Sequence, residues 1–299
     1  MTILDGARPA TATRSSATLC VSPTTYTRPH ARPRTDTAVL DPDLHLVAED
    51  LSKLFDDSQA LVHLPGALSP RYCAGVVAAA AAVPFQAYAK TENSSDFAPI
   101  LKFGPALFDY IGATDVSGYF IEGAAATALG AAAFAASAVL DPLTAALRAL
   151  RRAWPGRVEV ATESDGRPYF AGVMRDIPSG ALPHVDHARV ETPALQVGRT
   201  IAQASMLFYV SIPTAGGALR VYDKTPTATD YADHTLGYGF TADAVRDATF
   251  RGITPGVGSV VLFPTTQIHS VDPVAGPGHR ITWSTFIGLC EDGSLVLWS

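Results

Sequence analysis

Cysteine is scarce in this chain of 299 residues. Only Cys20, Cys73 and Cys290 are present, and they lie far apart. An odd number of cysteines without a C-x-x-C pair argues against a disulfide framework and against a cysteine-ligated zinc site. Because thiols persist in reducing compartments, the simplest expectation is a cytoplasmic protein.

Positive charge is not in excess either. The chain has 22 Lys and Arg against 28 Asp and Glu, a formal net charge of −6. Proteins that bind nucleic acid usually carry a basic patch or stripe, so this balance does not indicate such a partner. With 47% hydrophobic and 17% charged residues, the composition is ordinary for a soluble enzyme. We therefore expect no nucleic-acid or membrane partner; nothing in the composition indicates an oligomeric state.

The N-terminal region lacks the apolar core of a secretory signal. Residues 6–35 are rich in Thr, Ser, Pro and Arg, contain no acidic residue and faintly resemble a transit peptide. A flexible tail over residues 1–39, followed by one domain over 40–299, is the better expectation. The uncharged run 123–140 consists mostly of Ala and Gly, which gain little from lipid, so it predicts a buried or half-buried helix rather than a membrane span.

The pattern changes from helices to strands near residue 155. Helices are predicted over 46–55, over 68–83 with Ser69 as cap and Pro70 at the first position, and over 105–153 with breaks near 113–115 and 141–142. A short strand is predicted over 60–66, and six β-branched or aromatic runs follow residue 155: 157–162, 169–177, 204–212, 217–223, 258–264 and 280–289. This order favours an α+β fold in which helices pack on an antiparallel barrel or sandwich.

The segment ALPHVDHARVE (181–191) carries the most informative cluster of polar residues. Side chains alternate along an extended strand, so His184 and Asp186 share one face and His187 takes the other. Of the other histidines, His269 lies just past a predicted core strand. His279 is the neighbour of Arg280 and should therefore point away from the site. Two histidines and one carboxylate form the facial triad of non-haem iron(II) oxygenases. Alone, His184 could be an ordinary loop histidine and Asp186 a turn cap.

Arg280 opens the last predicted strand, eleven residues after His269. Its guanidinium suits the distal carboxylate of a dicarboxylate co-substrate, and Thr282 lies on the same strand face. A structural ion pair with Asp272 is the alternative for Arg280, and Arg220 is the next candidate for the co-substrate. His-x-Asp, then His after 82 residues, then Arg resembles the order found in 2-oxoglutarate-dependent dioxygenases.

Longer segments resemble the aliphatic halogenases of indole-alkaloid biosynthesis. They are SIPTAGGALRVYDKTP (211–226), TPGVGSVVLFPTTQIHSV (254–271), HRITWSTFIGL (279–289) and LVLWS (295–299), and the likeness extends over about residues 90–299. LPHVDHA stands where that family has its metal-binding His-Val-Gly. The resemblance implies a double-stranded β-helix (jelly-roll) barrel, iron(II), and 2-oxoglutarate and O2 as co-substrates.

Asp186 departs from the halogenase pattern. In the halogenases glycine replaces this carboxylate, and chloride takes the vacated position on iron. The resemblance therefore implies a hydroxylase on a halogenase-like scaffold, acting on a small molecule in secondary metabolism. Desaturation or ring closure would use the same ligands. An amino-acid or peptide side-chain oxygenase and a catalytically silent metal-binding barrel are the alternatives.

Four residues are candidates for substrate binding. By their position in the resemblance, Ile100, Leu101 and Phe103 would line the pocket, and core packing of the same segment is the alternative. Arg189 stands where the halogenases have an aromatic pocket residue. It could bind a carboxylate or phosphate of the substrate, or simply be solvated.

Overall fold

The computed structural model describes residues 42, 44–89 and 99–299. The predicted tail over residues 1–39 lies outside this part of the chain, as does Cys20. Within it, the two remaining cysteines are free thiols, one buried and one partly buried: Cys73 and Cys290.

Four helices of two or more turns lie in the first half of the described chain. They are α1 (Ala48–Phe55), α2 (Pro70–Ala81), α3 (Ser117–Ala136) and α4 (Pro142–Ala153). The Ser69 hydroxyl accepts a hydrogen bond from the Tyr72 N–H and caps α2, as predicted, and the Asp141 carboxylate caps α4 in the same way. Short helices follow later, α5 (Ala188–Glu191) and α6 (Ala228–Asp233), with 3₁₀ turns at Leu107–Tyr110, Gln196–Arg199 and Ala242–Val245.

Fifteen strands are present in the described residues. The first six are β1 (Val62–Leu64), β2 (Gln86–Ala87), β3 (Leu101–Phe103), β4 (Val158–Val160), β5 (Val173–Asp176) and β6 (Ala181–His184). The others are β7 (Ala202–Ser211), β8 (Leu219–Tyr222), β9 (Thr235–Leu236), β10 (Gly239–Phe240), β11 (Phe250–Ile253), β12 (Val260–Pro264), β13 (His269–Val271), β14 (Ile281–Leu289) and β15 (Leu295–Trp298).

Two sheets face each other. The larger has the order β1-β12-β7-β14-β5-β3-β2, with β15 added between β14 and β4, and the smaller has the order β11-β8-β13-β6. All pairs are antiparallel except β15 with β4. One hydrophobic cluster joins the facing surfaces, with Tyr209 and Phe263 from the larger sheet and Leu219, Val221 and Val271 from the smaller. This arrangement confirms the predicted α+β fold with a double-stranded β-helix barrel.

The outer face of the larger sheet is covered by the helices. Met206, Phe208 and Trp283 point out of β7 and β14 into a core shared with Leu51 of α1 and Val76 of α2. All five are almost completely buried. Since neighbouring residues of a strand point to opposite faces, the alternate residues of β7 and β14 point into the barrel. The helices thus pack the sheet rigidly from outside while its inner face forms the site.

Helix α3 is the segment that composition alone might assign to a membrane. Among the helices of the described residues, α3 is the one that is long and apolar enough to span a bilayer. Its most apolar stretch of 18 residues has a mean hydropathy of 1.3, and 39% of that stretch is buried inside the protein. Its buried side includes Tyr119, Phe120 and Phe134, which pack into the hydrophobic clusters. The helix therefore has one face in the protein core, as the sequence predicts for a half-buried helix.

Candidate metal and co-substrate site

Two neighbouring strands of the smaller sheet bring the two histidines together. His184 ends β6, His269 begins β13, and the two residues are direct partners in the antiparallel register. Their ring centroids are 4.2 Å apart. Asp186 follows β6, and its N–H donates to the Thr265 carbonyl at 3.0 Å, which fixes the turn. The donor atoms of His184, Asp186 and His269 all lie within 4.8 Å of one another.

The orientation of both rings suits a metal ion. His184 Nδ1 lies 2.7 Å from the Leu182 carbonyl oxygen, and His269 Nδ1 lies 3.1 Å from the Gln267 carbonyl oxygen. Because a carbonyl oxygen only accepts, each Nδ1 carries the proton and each neutral ring presents the Nε2 lone pair. The Asp186 Oδ2 atom is 3.4 Å from Nε2 of His269 and 4.0 Å from Nε2 of His184. The three ligand atoms thus face one point.

The protonation states also fit a metal. Burial, followed by the neighbouring His269, lowers the pKa of His184 to about 4. Burial raises the pKa of the Asp186 carboxyl, but the polar groups around it, His269, His184 and the Arg175 guanidinium, outweigh this effect, so the pKa lies below its usual range. A neutral imidazole and an ionised carboxylate are the forms that bind a metal ion.

Arg280 and Thr282 lie on the inner face at the start of β14, and each is 1% exposed. The Arg280 Nε–H donates to the Gly217 carbonyl at 3.0 Å, and Nη2 donates to the Tyr209 hydroxyl at 3.2 Å. In the described part of the chain, its Nη1 is buried without a hydrogen-bond partner. A buried charged donor left unsatisfied is costly, so its presence indicates an anionic ligand.

A cavity of about 120 Å³ connects these two groups of residues. His184, Asp186 and His269 form one part of its wall, and Arg280 and Thr282 form another. Most other lining side chains are apolar or aromatic and include Leu207, Leu219, Phe263, Phe286, Tyr238 and Ile100. A co-substrate could therefore reach from the guanidinium to the three ligand atoms within a largely apolar cavity.

The predicted substrate residues separate into two groups. Ile100 lines the cavity, but Leu101 and Phe103 do not. Leu101 and Phe103 share the opposite face of β3, and Phe103, which is 5% exposed, packs against Gly130 of α3. The expectation that they line the pocket is therefore corrected: the alternation of side chains along β3 directs Phe103 into the core behind the sheet.

Arg189 also lies away from the cavity. It is an exposed residue of the short helix α5 and lines a separate surface groove together with Arg157 and Arg199. The chain turns into α5 directly after Asp186, which carries Arg189 out of the barrel. The expectation that it contacts a substrate beside the triad is therefore corrected as well.

The remaining candidate residues have other partners. Asp272 accepts two hydrogen bonds of 2.8 Å from Arg220, so it is not the partner of Arg280. His279 is exposed, as expected, and its Nδ1 lies 2.7 Å from an Asp176 oxygen. His187 lies outside the group of possible metal ligands.

Sequence reasoning missed one charged residue of the cavity. Arg175 lies on β5, beside Thr282 in the register of β14, and its guanidinium lines the cavity. It donates hydrogen bonds to the Tyr88 hydroxyl and to the Ser284 hydroxyl. The only local signal was an arginine inside the apolar strand YFAGVMRDI, and its direction becomes evident only from the pairing with β14.

Comparison with known proteins identifies the family. Residues 81–299 match the family described as carrier-protein-independent halogenase WelO5. The chain is 33% identical over 205 residues to L-gamma-glutamyl-L-propargylglycine hydroxylase of Streptantibioticus cattleyicolor, covering 67% of this chain and 75% of that protein. It is 31% identical over 156 residues to leucinostatins biosynthesis cluster protein S of Purpureocillium lilacinum, covering 48% of this chain and 64% of that protein.

A solved structure supports the fold assignment. An N-substituted L-amino acid dioxygenase from Burkholderia ambifaria, crystallised with alpha-ketoglutarate, superposes with a TM-score of 0.57 at 12% identity, covering 84% of this chain and 91% of that one. At this identity the likeness concerns the fold alone. The family match covers most of the chain and includes all three possible metal ligands. The chain therefore belongs to the carrier-protein-independent halogenase WelO5 family and is an iron(II)- and 2-oxoglutarate-dependent oxygenase.

Proposed function

We propose that this enzyme hydroxylates an unactivated C–H bond of a small molecule in secondary-metabolite biosynthesis. Iron(II) is held by His184, Asp186 and His269, and 2-oxoglutarate is held by Arg280 with help from Thr282. The convergence of three ligand atoms within 4.8 Å and the unpartnered Nη1 of Arg280 support these roles. When bound, iron(II) and 2-oxoglutarate supply the oxidant, because decarboxylation of 2-oxoglutarate to succinate and CO2 allows one atom of O2 to enter the substrate.

Asp186 is the single observation that carries the choice of hydroxylation. Its carboxylate lies 3.4 Å from His269 Nε2, in the position that the resembled halogenases leave to chloride. Three protein ligands would leave about three positions on iron(II), which 2-oxoglutarate and O2 would need, so no position would be free for a halide. A halide would have to displace a charged side chain whose backbone is held by the Thr265 carbonyl.

The other residues of the site hold and shield the reactants. The Leu182 and Gln267 carbonyls keep the two imidazoles in the tautomer that presents Nε2. Apolar side chains such as Leu207, Phe263 and Phe286 limit access of water to the cavity, which strengthens the interaction of the guanidinium with its anion.

An amino-acid or peptide derivative is the second candidate for the substrate. The relative from Streptantibioticus cattleyicolor is named for a γ-glutamyl dipeptide, and this chain covers 75% of it. We also propose a cytoplasmic location, which the free thiols of Cys73 and Cys290 support.

The test is turnover in the presence of iron(II), 2-oxoglutarate and ¹⁸O2 with a library of secondary metabolites and amino-acid derivatives. Hydroxylation predicts succinate formation that is stimulated by the true substrate and a product heavier by one atom of ¹⁸O. Absence of any 2-oxoglutarate turnover by the iron-loaded protein would contradict the proposed activity. The matched control is His269→Ala, which removes one ligand and should abolish turnover.

A further inference from the structure

Arg175 is a second cation in the wall of the cavity that holds Arg280. Arg175 pairs with Thr282 in the register of β5 and β14, and its Nη1 donates to Ser284, two residues further along β14. Arg280 Nη2 donates to Tyr209, which is the register partner of Thr282 on β7, so its guanidinium stops about two residues earlier along the same face. Two residues of an extended strand span roughly 7 Å, so the two guanidinium groups occupy neighbouring positions, are held by different partners and can bind two different anions.

The fold supplies a counter-ion for the neighbouring cation but not for Arg175. Lys102, the register partner of Arg175 on β3, has Asp109 at 3.2 Å. Among residues 44–89 and 99–299, Arg175 forms no ion pair with a carboxylate, and its Nη2 donates no hydrogen bond. Its bonds to Tyr88 and Ser284 hold the guanidinium in place without neutralising it.

The side chains that line the described part of the cavity offer Arg175 no carboxylate other than that of a possible metal ligand. Among the lining side chains that the structure describes, Asp186 is the one carboxylate. An uncompensated cation in a largely apolar cavity is costly, because its hydration is only partly replaced. An anionic group on the substrate would remove this cost.

The wall between Arg175 and the metal ligands is aromatic. The Tyr88 ring, whose hydroxyl accepts from Arg175, lies 5.9 Å from the Phe108 ring. Phe108 lies 6.3 Å from Tyr238, and Tyr238 lies 5.8 Å from the His184 ring. A molecule anchored at Arg175 would therefore extend along an aromatic surface that ends at the iron site.

Building on the proposed function, we propose that Arg175 binds a carboxylate of the primary substrate and that Ser284 positions it. The substrate class is an organic acid with an apolar portion that packs on Tyr88, Phe108 and Tyr238 and presents its C–H bond to the iron. A carboxylate is preferred to a phosphate because the planar guanidinium edge matches its two oxygens. Arg175 is thus the residue that determines specificity, and Arg280 serves the co-substrate.

The experiment measures binding separately from turnover. Enzyme loaded with zinc(II) and 2-oxoglutarate is titrated calorimetrically with N-acetyl-L-leucine, N-acetyl-L-phenylalanine and γ-L-glutamyl-L-leucine, each compared with its C-terminal carboxamide. The wild-type protein should bind at least one acid about 10- to 100-fold more tightly than its amide, as expected for charge-assisted hydrogen bonds. Arg175→Gln should abolish this preference while changing 2-oxoglutarate affinity by less than about threefold.

Two further variants keep the test decisive. Ser284→Ala removes one bond to the guanidinium and should reduce the preference for the acid about 3- to 10-fold with little effect on folding. Arg220→Gln, which changes an arginine paired with Asp272 outside the cavity, should leave the preference unchanged.

Three results would overturn the proposal. The first is equal or absent binding of acids and amides by the wild-type protein. The second is a loss of 2-oxoglutarate affinity in Arg175→Gln as large as that in Arg280→Gln, which would assign Arg175 to the co-substrate. The third is tighter binding of phenyl phosphate than of every acid. Failure of 2-oxoglutarate turnover would contradict the proposed activity but leaves these binding results intact, so the two failures are distinguishable.

Discussion

Replacement of Arg280 by lysine tests the co-substrate site most directly. The substitution keeps the positive charge but removes the planar guanidinium, which uses Nε for the Gly217 carbonyl and Nη2 for the Tyr209 hydroxyl while Nη1 stays available. A lysine ammonium has one nitrogen in place of three and cannot hold these positions together. Either the two internal bonds or the bond to 2-oxoglutarate must weaken.

The size of the effect follows from the bonds that are lost. One hydrogen bond to a charged group contributes about 1.5–3 kcal/mol, and about 1.4 kcal/mol corresponds to a factor of ten in affinity. The Arg280→Lys variant should therefore bind 2-oxoglutarate roughly 10- to 100-fold more weakly. Its kcat at saturating 2-oxoglutarate should fall much less, because the lost interaction mainly anchors the ground state.

The assay is a calorimetric titration of the zinc(II)-loaded protein with 2-oxoglutarate, accompanied by the KM for 2-oxoglutarate in succinate formation. Arg220→Lys is the matched control, because Arg220 lies on β8 and is bound to Asp272. A 2-oxoglutarate affinity within about threefold of wild type in Arg280→Lys would refute the reasoning. An equal loss in the control would refute it as well, since the effect would then be a general one on the barrel.

Four other substitutions test neighbouring parts of the site and the core. In chloride-rich buffer, mass spectrometry of the wild-type product should show added oxygen and no chlorine. The hydroxylation rate of Asp186→Gly should be at least tenfold lower than that of the wild type. A chlorinated main product of the wild-type enzyme would contradict the role of Asp186. Gly217 has φ 71°, and a Cβ there would lie 3.0 Å from Arg280 Cδ. Gly217→Ala should therefore lower the free energy of unfolding by about 1–2 kcal/mol and raise the KM for 2-oxoglutarate. An unchanged thermal midpoint and KM would contradict this. Phe103→Ala should lower the free energy of unfolding by about 3–5 kcal/mol and leave the order of substrate preference unchanged. Ile100→Ala should alter that preference with a smaller loss of stability. The opposite result would contradict the assignment of Phe103 to the core and of Ile100 to the cavity.

The features that the sequence predicted well depend on residues close together in the chain. Helix α2 begins where Ser69 and Pro70 indicate, because capping is a contact between residues three apart. The shared face of His184 and Asp186 follows from the alternation of an extended chain, and so does that of Arg280 and Thr282. The distant partner His269 was singled out because it lies just past a predicted core strand, and the order of the four residues resembles that of 2-oxoglutarate-dependent dioxygenases.

The features that the sequence left open depend on which strands pair and what covers each face. Alternation tells that Ile100 and Phe103 point to opposite faces of β3, but only the packing of α3 behind the sheet decides that Phe103 belongs to the core. Arg175 became a cavity residue because β5 pairs with β14 in the register that sets it beside Thr282. From the sequence, Asp272 could pair with Arg280. In the structure the register of β13 with β8 places Asp272 beside Arg220, with which it forms hydrogen bonds. The sequence by itself therefore determined which three residues can bind a metal ion, whereas the tertiary structure decided which charges face the cavity, because strand pairing and burial arise from contacts between residues far apart in the chain.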